Sequence, residues 1–192
     1  MTALTLNLRS TMELTNERFE QICHSNQDLR FERSAKGELV VMSPAGSDTG
    51  RQNWGLAGQL WIWNQRTRLG VGFDSSAGFT LPNGAIRSPD LSWIKQEPWD
   101  TLSQAQKRKF APICPDFVVE LCSPSDRLTD VQSKMQEYLD NGTRLGWLII
   151  PENRQVEIYR LNRDVEVLSN PISLSGEDVL PGFELDLSEI WD

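Results

Sequence analysis

Phe117-Val118-Val119-Glu120-Leu121-Cys122, followed by Val131-Gln132-Ser133-Lys134-Met135-Gln136-Glu137-Tyr138-Leu139, is the stretch whose reading decides the fold. The first segment is an apolar run rich in β-branched residues, which predicts a strand. The second places Val131, Met135 and Tyr138, with Leu139 beside them, on one stripe at helical spacing, which predicts a helix from about Thr129 to Asn141, closed at Gly142. Ser123-Pro124-Ser125-Asp126 supplies the turn between them. Each segment also carries one charge where an apolar residue is expected. Strand alternation puts Val118, Glu120 and Cys122 on one face, and a carboxylate there is costly unless it is paired or bound to a cation. Lys134 shares the inward stripe of the helix, so it must snorkel, find a carboxylate or take part in chemistry. A half-exposed strand with a surface ion pair, and a lysine stem covering apolar surface, are the plainer readings of the same two residues.

Outward from this core, the pattern alternates elements. Thr15 is a good N-cap for a helix with Phe19, Ile22 and Cys23 on one face. Leu29–Arg33 and Glu38–Met42 read as a hairpin over Ala35-Lys36-Gly37. A helix over about 48–68 shows Trp54, Ala57, Trp61 and Ile62 as its apolar stripe, with Gly70 as its C′ residue. Strands are expected over 71–74, 78–81 and 88–94, with Pro82-Asn83-Gly84 as a turn, and again over 145–150, 155–161 and 165–168. Leu180-Pro181-Gly182-Phe183 packs back on the body. This order predicts an α/β (α+β) fold, a mixed sheet flanked by helices. Residues 1–11 read as a flexible tail and residues 12–192 as a single domain.

A third charge completes a constellation. Pro89 favours extended entry into a strand, and Asp90 then lies on the face opposite Leu91 and Trp93. Asp116 is a rival, but on the strand of Glu120 itself it sits roughly 13 Å along the chain, whereas a neighbouring strand can set Asp90 directly across. Asp90 and Glu120 together can hold Mg²⁺, or Mn²⁺, by oxygen ligands. A lysine beside them can position or deprotonate a water, or stabilise a charged transition state.

Composition trims the alternatives. With a single histidine, His24, in a polar setting, histidine-dependent hydrolysis is disfavoured. Cys23, Cys114 and Cys122 form neither a CxxC pair nor an even set, which argues against a disulfide framework or a zinc site. No segment is apolar enough to span a membrane and no leader is recognisable, so a cytoplasmic protein is expected. The net charge of −8 lowers the expectation of nucleic-acid binding without removing it. The basic run Lys107-Arg108-Lys109 could meet phosphate, though a solvated loop is the plainer reading.

The residues Pro89-Asp90, then Glu120-Leu121-Cys122, resemble the PD-(D/E)xK nuclease superfamily. More closely, Gly37–Pro44, Arg87–Asp90, Pro115–Ser125, Lys134–Tyr138, Asn141-Gly142 with Gly146–Ile149, and Leu180–Phe183 resemble the Uma-two family of restriction endonucleases. The resemblance implies a restriction-endonuclease-like fold and metal-dependent hydrolysis of DNA, with a homodimer to cut both strands. It departs from the superfamily motif at Cys122, where a lysine is usual, and implies that Lys134 on the following helix takes that place. It also draws attention to Glu32, otherwise a solvated hairpin residue beside Arg30 and Arg33. Gln132 is a weaker candidate, since it lies roughly 160° around the helix from Lys134. A catalytically weak, nuclease-like binding or regulatory protein is the competing class, and an oligomer built on tryptophans is a third.

Overall fold

The structure is a computed structural model and describes residues 4–191. In chain order the elements are β1 (Leu4–Leu6), α1 (Asn16–Ser25), β2 (Arg30–Arg33), β3 (Leu39–Met42), α2 (Ser47–Thr67), β4 (Gly70–Asp74), β5 (Phe79–Thr80), β6 (Ile86–Arg87), β7 (Leu91–Lys95), α3 (Gln96–Asp100), α4 (Gln104–Lys107), β8 (Phe117–Leu121), α5 (Leu128–Asp140), β9 (Leu145–Ile150), β10 (Gln155–Arg160), β11 (Glu166–Ser169), β12 (Ser173–Ser175), β13 (Glu184–Asp186) and α6 (Ser188–Trp191). The mixed α+β class matches the sequence pattern, but the strands divide among three sheets. A six-stranded sheet runs β11-β10-β9-β8-β7-β4, a five-stranded one β1-β3-β2-β6-β5, and β12 pairs with β13. Only the β8–β9 pair is parallel among these ladders, joined by the crossover helix α5.

Strand alternation divides the central sheet into two faces. Leu91, Trp93, Phe117, Val119, Leu121 and Trp147 pack with α2 and with Phe183, Leu185 and Ile190 from the C-terminal segment. Val118, Leu148, Ile150 and Tyr159 face the other way, onto Met135, Tyr138 and Leu139 of α5. Burying each such side chain stabilises the fold by roughly 1.5–3 kcal/mol. Glu120 belongs to this second face, so the sheet itself aims it at α5.

Several expectations are corrected. The tail expected over residues 1–11 contains β1, whose Leu4–Leu6 pair with Val41–Leu39 of β3; residues 1–3 lie outside the described residues. The strand expected over 88–94 begins only at Leu91, as β7, with Ser88-Pro89-Asp90 linking it to the short β6, and the polar stretch after Lys95 holds the short helices α3 and α4. Gly70 is not a helix C′ residue. Arg68 takes the left-handed cap, while Gly70 opens β4 with no room for a side chain, since a methyl there would meet the Ile94 carbonyl and the Trp93 indole. Helix α2 buries Gln52, Leu56, Leu60 and Trp63, and of the predicted stripe only Ala57 packs against that core. Trp54, Trp61 and Ile62 are exposed, at 81%, 63% and 47%. Both stripes are apolar and helically spaced, so periodicity alone cannot choose between them. Tertiary partners do: Trp63 packs edge-on to Trp93 at 5.8 Å and against Phe183 at 5.6 Å, and Gln52 Nε2 donates to the Ile190 carbonyl at 2.8 Å.

Candidate active site

The antiparallel β7–β8 register pairs Leu91 with Val119 and Ser92 with Val118, so Asp90, one residue further out, stands across from Glu120. Its Oδ2 accepts the Leu121 N–H at 2.8 Å, and its Oδ1 accepts a longer contact, 3.4 Å, from Asn53 Nδ2 on α2. The Asn53 Oδ1 is itself buried with no hydrogen-bond partner among the described residues. Burial pushes the Asp90 carboxyl above its ordinary value, against the pull of the Leu121 amide and Lys134. Asp116 sits at the opposite end of β8, where its Oδ2 accepts the Lys95 N–H at 2.8 Å and its carbonyl accepts from Arg144. It ties strand ends together and takes no part in the cluster around Glu120.

Helix α5 delivers Lys134 as the interrupted stripe implies. Its side chain is only 12% exposed, and Nζ lies 2.9 Å from both Glu32 Oε1 and Glu120 Oε1. Glu120 Oε1 also accepts the Tyr138 hydroxyl at 3.0 Å, one helical turn along. Its Oε2 makes no hydrogen bond among the described residues. Glu32 comes from β2 in the other sheet and is buried. It accepts the Ser88 N–H at 2.9 Å and pairs with Arg87 at 3.0 Å, and Arg87 in turn reaches Glu137 on α5 at 2.6 Å. Asp90, Glu120, Lys134 and Glu32 thus meet where the two sheets and α5 converge.

The charges do not balance locally. For Glu32, burial works upward, but Lys134 and Arg87 outweigh it and the carboxyl falls below its ordinary value. For Glu120, burial, joined by Asp90 and Glu32, outweighs Lys134, and the carboxyl is pushed up to about 7. Burial lowers the Lys134 ammonium, yet its two carboxylates more than restore it, to above the ordinary lysine value. One lysine cannot neutralise two buried carboxylates. Glu32, with Arg87 as its second cation, carries the charge, while Glu120 is left to take a proton or another cation. Between two carboxylates Lys134 is held as an ammonium that donates, which favours the positioning and charge-stabilising roles over that of a base.

Could the site hold a metal? Among the described residues no group of three or more acidic, histidine or cysteine side chains is gathered closely enough to enclose an ion. Magnesium does not demand such a cage. It is commonly held by one or two carboxylates, with waters and substrate phosphate completing the shell. Asp90 and Glu120 are hard oxygen donors facing each other across one strand pair, with one oxygen each free or weakly held, and burial leaves both short of positive charge. The donor set therefore fits Mg²⁺ or Mn²⁺.

Other residues singled out by the sequence lie elsewhere. Gln132 donates to the buried Glu157 at 2.7 Å. Lys107 lies over the Trp99 ring at 5.1 Å and Lys109 pairs with Glu20 at 2.8 Å, so both cations have intramolecular partners. His24 is exposed at the end of α1, and the three cysteines are free. The sequence reading missed Arg87, Tyr138, Glu137 and Asn53. For Tyr138 a signal existed, since a buried tyrosine needs a hydroxyl partner and stands four residues after Lys134.

A family model described as "Putative restriction endonuclease", Uma2, matches residues 16–188. The chain belongs to this family. Among solved structures, it is similar to a protein of Anabaena variabilis described as a putative nuclease belonging to DUF820, at 20% identity and a TM-score of 0.74, covering 92% of this chain and 97% of that one. At that identity the likeness speaks for the restriction-endonuclease-like fold. No curated protein matches the chain. Among the described residues of this Uma2 member, no helix is long and apolar enough to cross a membrane.

Proposed function

We propose that this Uma2 protein is a metal-dependent endonuclease that hydrolyses phosphodiester bonds in DNA, with Asp90 and Glu120 holding Mg²⁺ or Mn²⁺ and Lys134 and Glu32 completing the centre. The observation that carries the reading is the charge deficit at Glu120: a buried carboxylate opposite Asp90, pushed up to about 7 although a lysine touches it. A bound divalent ion supplies polarisation of the phosphate and a more acidic water. The chain's own residues do the rest. Lys134, as an ammonium, donates to a non-bridging phosphate oxygen as negative charge builds there. Glu32 and Glu120 fix the direction of its Nζ, and Arg87 clamps Glu32 from behind. Tyr138 holds Glu120 Oε1, leaving Oε2 to turn outward. Cutting both strands of a duplex needs two such centres, so the reading includes a homodimer.

The test is incubation of purified protein with plasmid DNA and Mg²⁺ or Mn²⁺, beside chelator, Asp90→Ala and Lys134→Ala. Cleavage should vanish with chelator and fall by about 100-fold or more in each variant. Cleavage unchanged in either variant overturns the assignment. A second reading, a nuclease-like binding protein without turnover, is favoured by the net charge of −8 and predicts metal bound at Asp90 and Glu120 with no cut.

A further inference from the structure

Among the described residues, the outer face of α2 is left uncovered. Trp54 and Trp61 are 81% and 63% exposed, and Ile62 and, just past the helix, Leu69 are exposed beside them. Seven residues separate the tryptophans, two turns, so both point the same way. Gly58 lies between them, and a Cβ there would touch nothing within 4 Å. Glycine weakens a helix interior relative to alanine. A Cβ on Gly55 would make only ordinary contact with Ile190 and Glu189, and on Gly50 or Gly58 it would meet nothing, so packing among the described residues does not account for the glycine at the middle of this face. A bare backbone flanked by two exposed indoles is a surface shaped for the close approach of something outside.

We propose that this face is the dimer interface, with α2 packing antiparallel on α2 of a second copy and crossing near Gly58. Charge selects a second copy as the occupant. In a chain of net charge −8, the fourteen residues from Gln52 to Gln65 carry no Asp, Glu, Lys or Arg. Copies that repel elsewhere can meet over such a neutral strip, whereas a DNA backbone finds no cation on it. The strip is self-complementary about Gly58, as a twofold contact requires: Trp54 of one copy meets Trp61 of the other. The ends agree with the antiparallel sense. Asp48, which also pairs with Arg51 of its own helix at 3.4 Å, lies near the start of α2 and Arg66 near its end, on the same flank of the helix, so each Asp48 comes opposite the partner copy's cationic end. Area agrees too. At about 250 Å² per tryptophan, the two indoles expose roughly 360 Å², nearly half of the about 800 Å² each side of a standard interface gives up. Of the other exposed apolar residues, Leu161, Val165 and Val167 are interleaved with Arg163, Asp164 and Glu166, and Leu4, Leu6, Leu29 and Ile172 lie on separate segments, so none adds a second helical strip.

The inference names the interface of the homodimer that the nuclease reading includes, but a dimer that cuts nothing leaves the interface intact. Sedimentation equilibrium on the full chain tests it. Wild type should be a dimer, and Trp54→Glu, Trp61→Glu and Gly58→Leu should each raise the dimer dissociation constant by about 100-fold or more. Circular dichroism should remain unchanged, since none of the three side chains packs in the core. Asp48→Arg should weaken the dimer, and adding Arg66→Asp should restore it. A monomeric wild type, or a dimer indifferent to the tryptophan substitutions, overturns the interface. Dimers broken by the tryptophan changes but not rescued by the charge swap overturn the antiparallel sense.

Discussion

Glu120→Gln should make the metal-free protein more resistant to unfolding at pH 8 than wild type, relative to their order at pH 4.5. The carboxyl holds its proton up to about 7 in the fold, against an ordinary 4.5. A raised acid favours the folded state while both states are protonated. That advantage is lost as pH rises from about 4.5 to about 7, because the unfolded chain releases its proton first, and it stays lost above. With about 1.4 kcal/mol for each tenfold in proton affinity, the contribution is about 3 kcal/mol. Glutamine keeps the shape and cannot ionise, so the variant does not pay this cost. For a domain of this size 3 kcal/mol corresponds to roughly 6–12 °C in melting temperature. The assay is thermal melting of both proteins across pH 4.5–8 without divalent ions. The difference, variant minus wild type, should grow with pH by that amount and level off above 7. Titrating groups that do not face Glu120 cancel in the difference, while Asp90 and Glu32, which repel its charge, contribute to it in the same sense. A flat difference refutes the charge deficit at Glu120. A variant that loses ground as pH rises would mean that Lys134 outweighs burial and the carboxylate is ionised throughout.

Two further outcomes test the frame of the site. Arg87→Ala strands Glu32 and Glu137 beside each other on the inner side of the cluster, and should cost about 3–5 kcal/mol in a urea titration at pH 7; a loss under 1 kcal/mol would show that Lys134 alone satisfies Glu32. Gly70→Ala, which drives a methyl into the Ile94 carbonyl, should destabilise by about 3 kcal/mol, and by more than Gly146→Ala, where the one severe overlap is with the movable end of Met135. Equal losses in the two variants would contradict the backbone contact.

How much of this was legible depends on whether one segment or two must be read. Glu120 and Lys134 each interrupt a single apolar pattern, so local periodicity is enough to find them. Asp90 required knowing which strand lies beside β8, and the resemblance supplied what spacing could not decide against Asp116. Arg87 and Glu32 act from strands of a different sheet, and nothing in β2 or β6 alone announces a partner on α5. Their pairing is a tertiary fact, as is the third cation-to-carboxylate link to Glu137.

The misread helix makes the same point from the other side. Trp54 and Trp61 form as good an apolar stripe as Leu56, Leu60 and Trp63, and periodicity ranked the heavier one as core. What separates the stripes is what they meet: Leu56, Leu60 and Trp63 find Trp93, Phe183 and the central sheet, and the tryptophans stay largely exposed among the described residues. A helix with two apolar faces and one fold to fill still has one face to cover. Its lack of charge from Gln52 to Gln65, in an otherwise acidic chain, becomes intelligible once a second copy is the neighbour, because the outward face then obeys the same rule as the inward one.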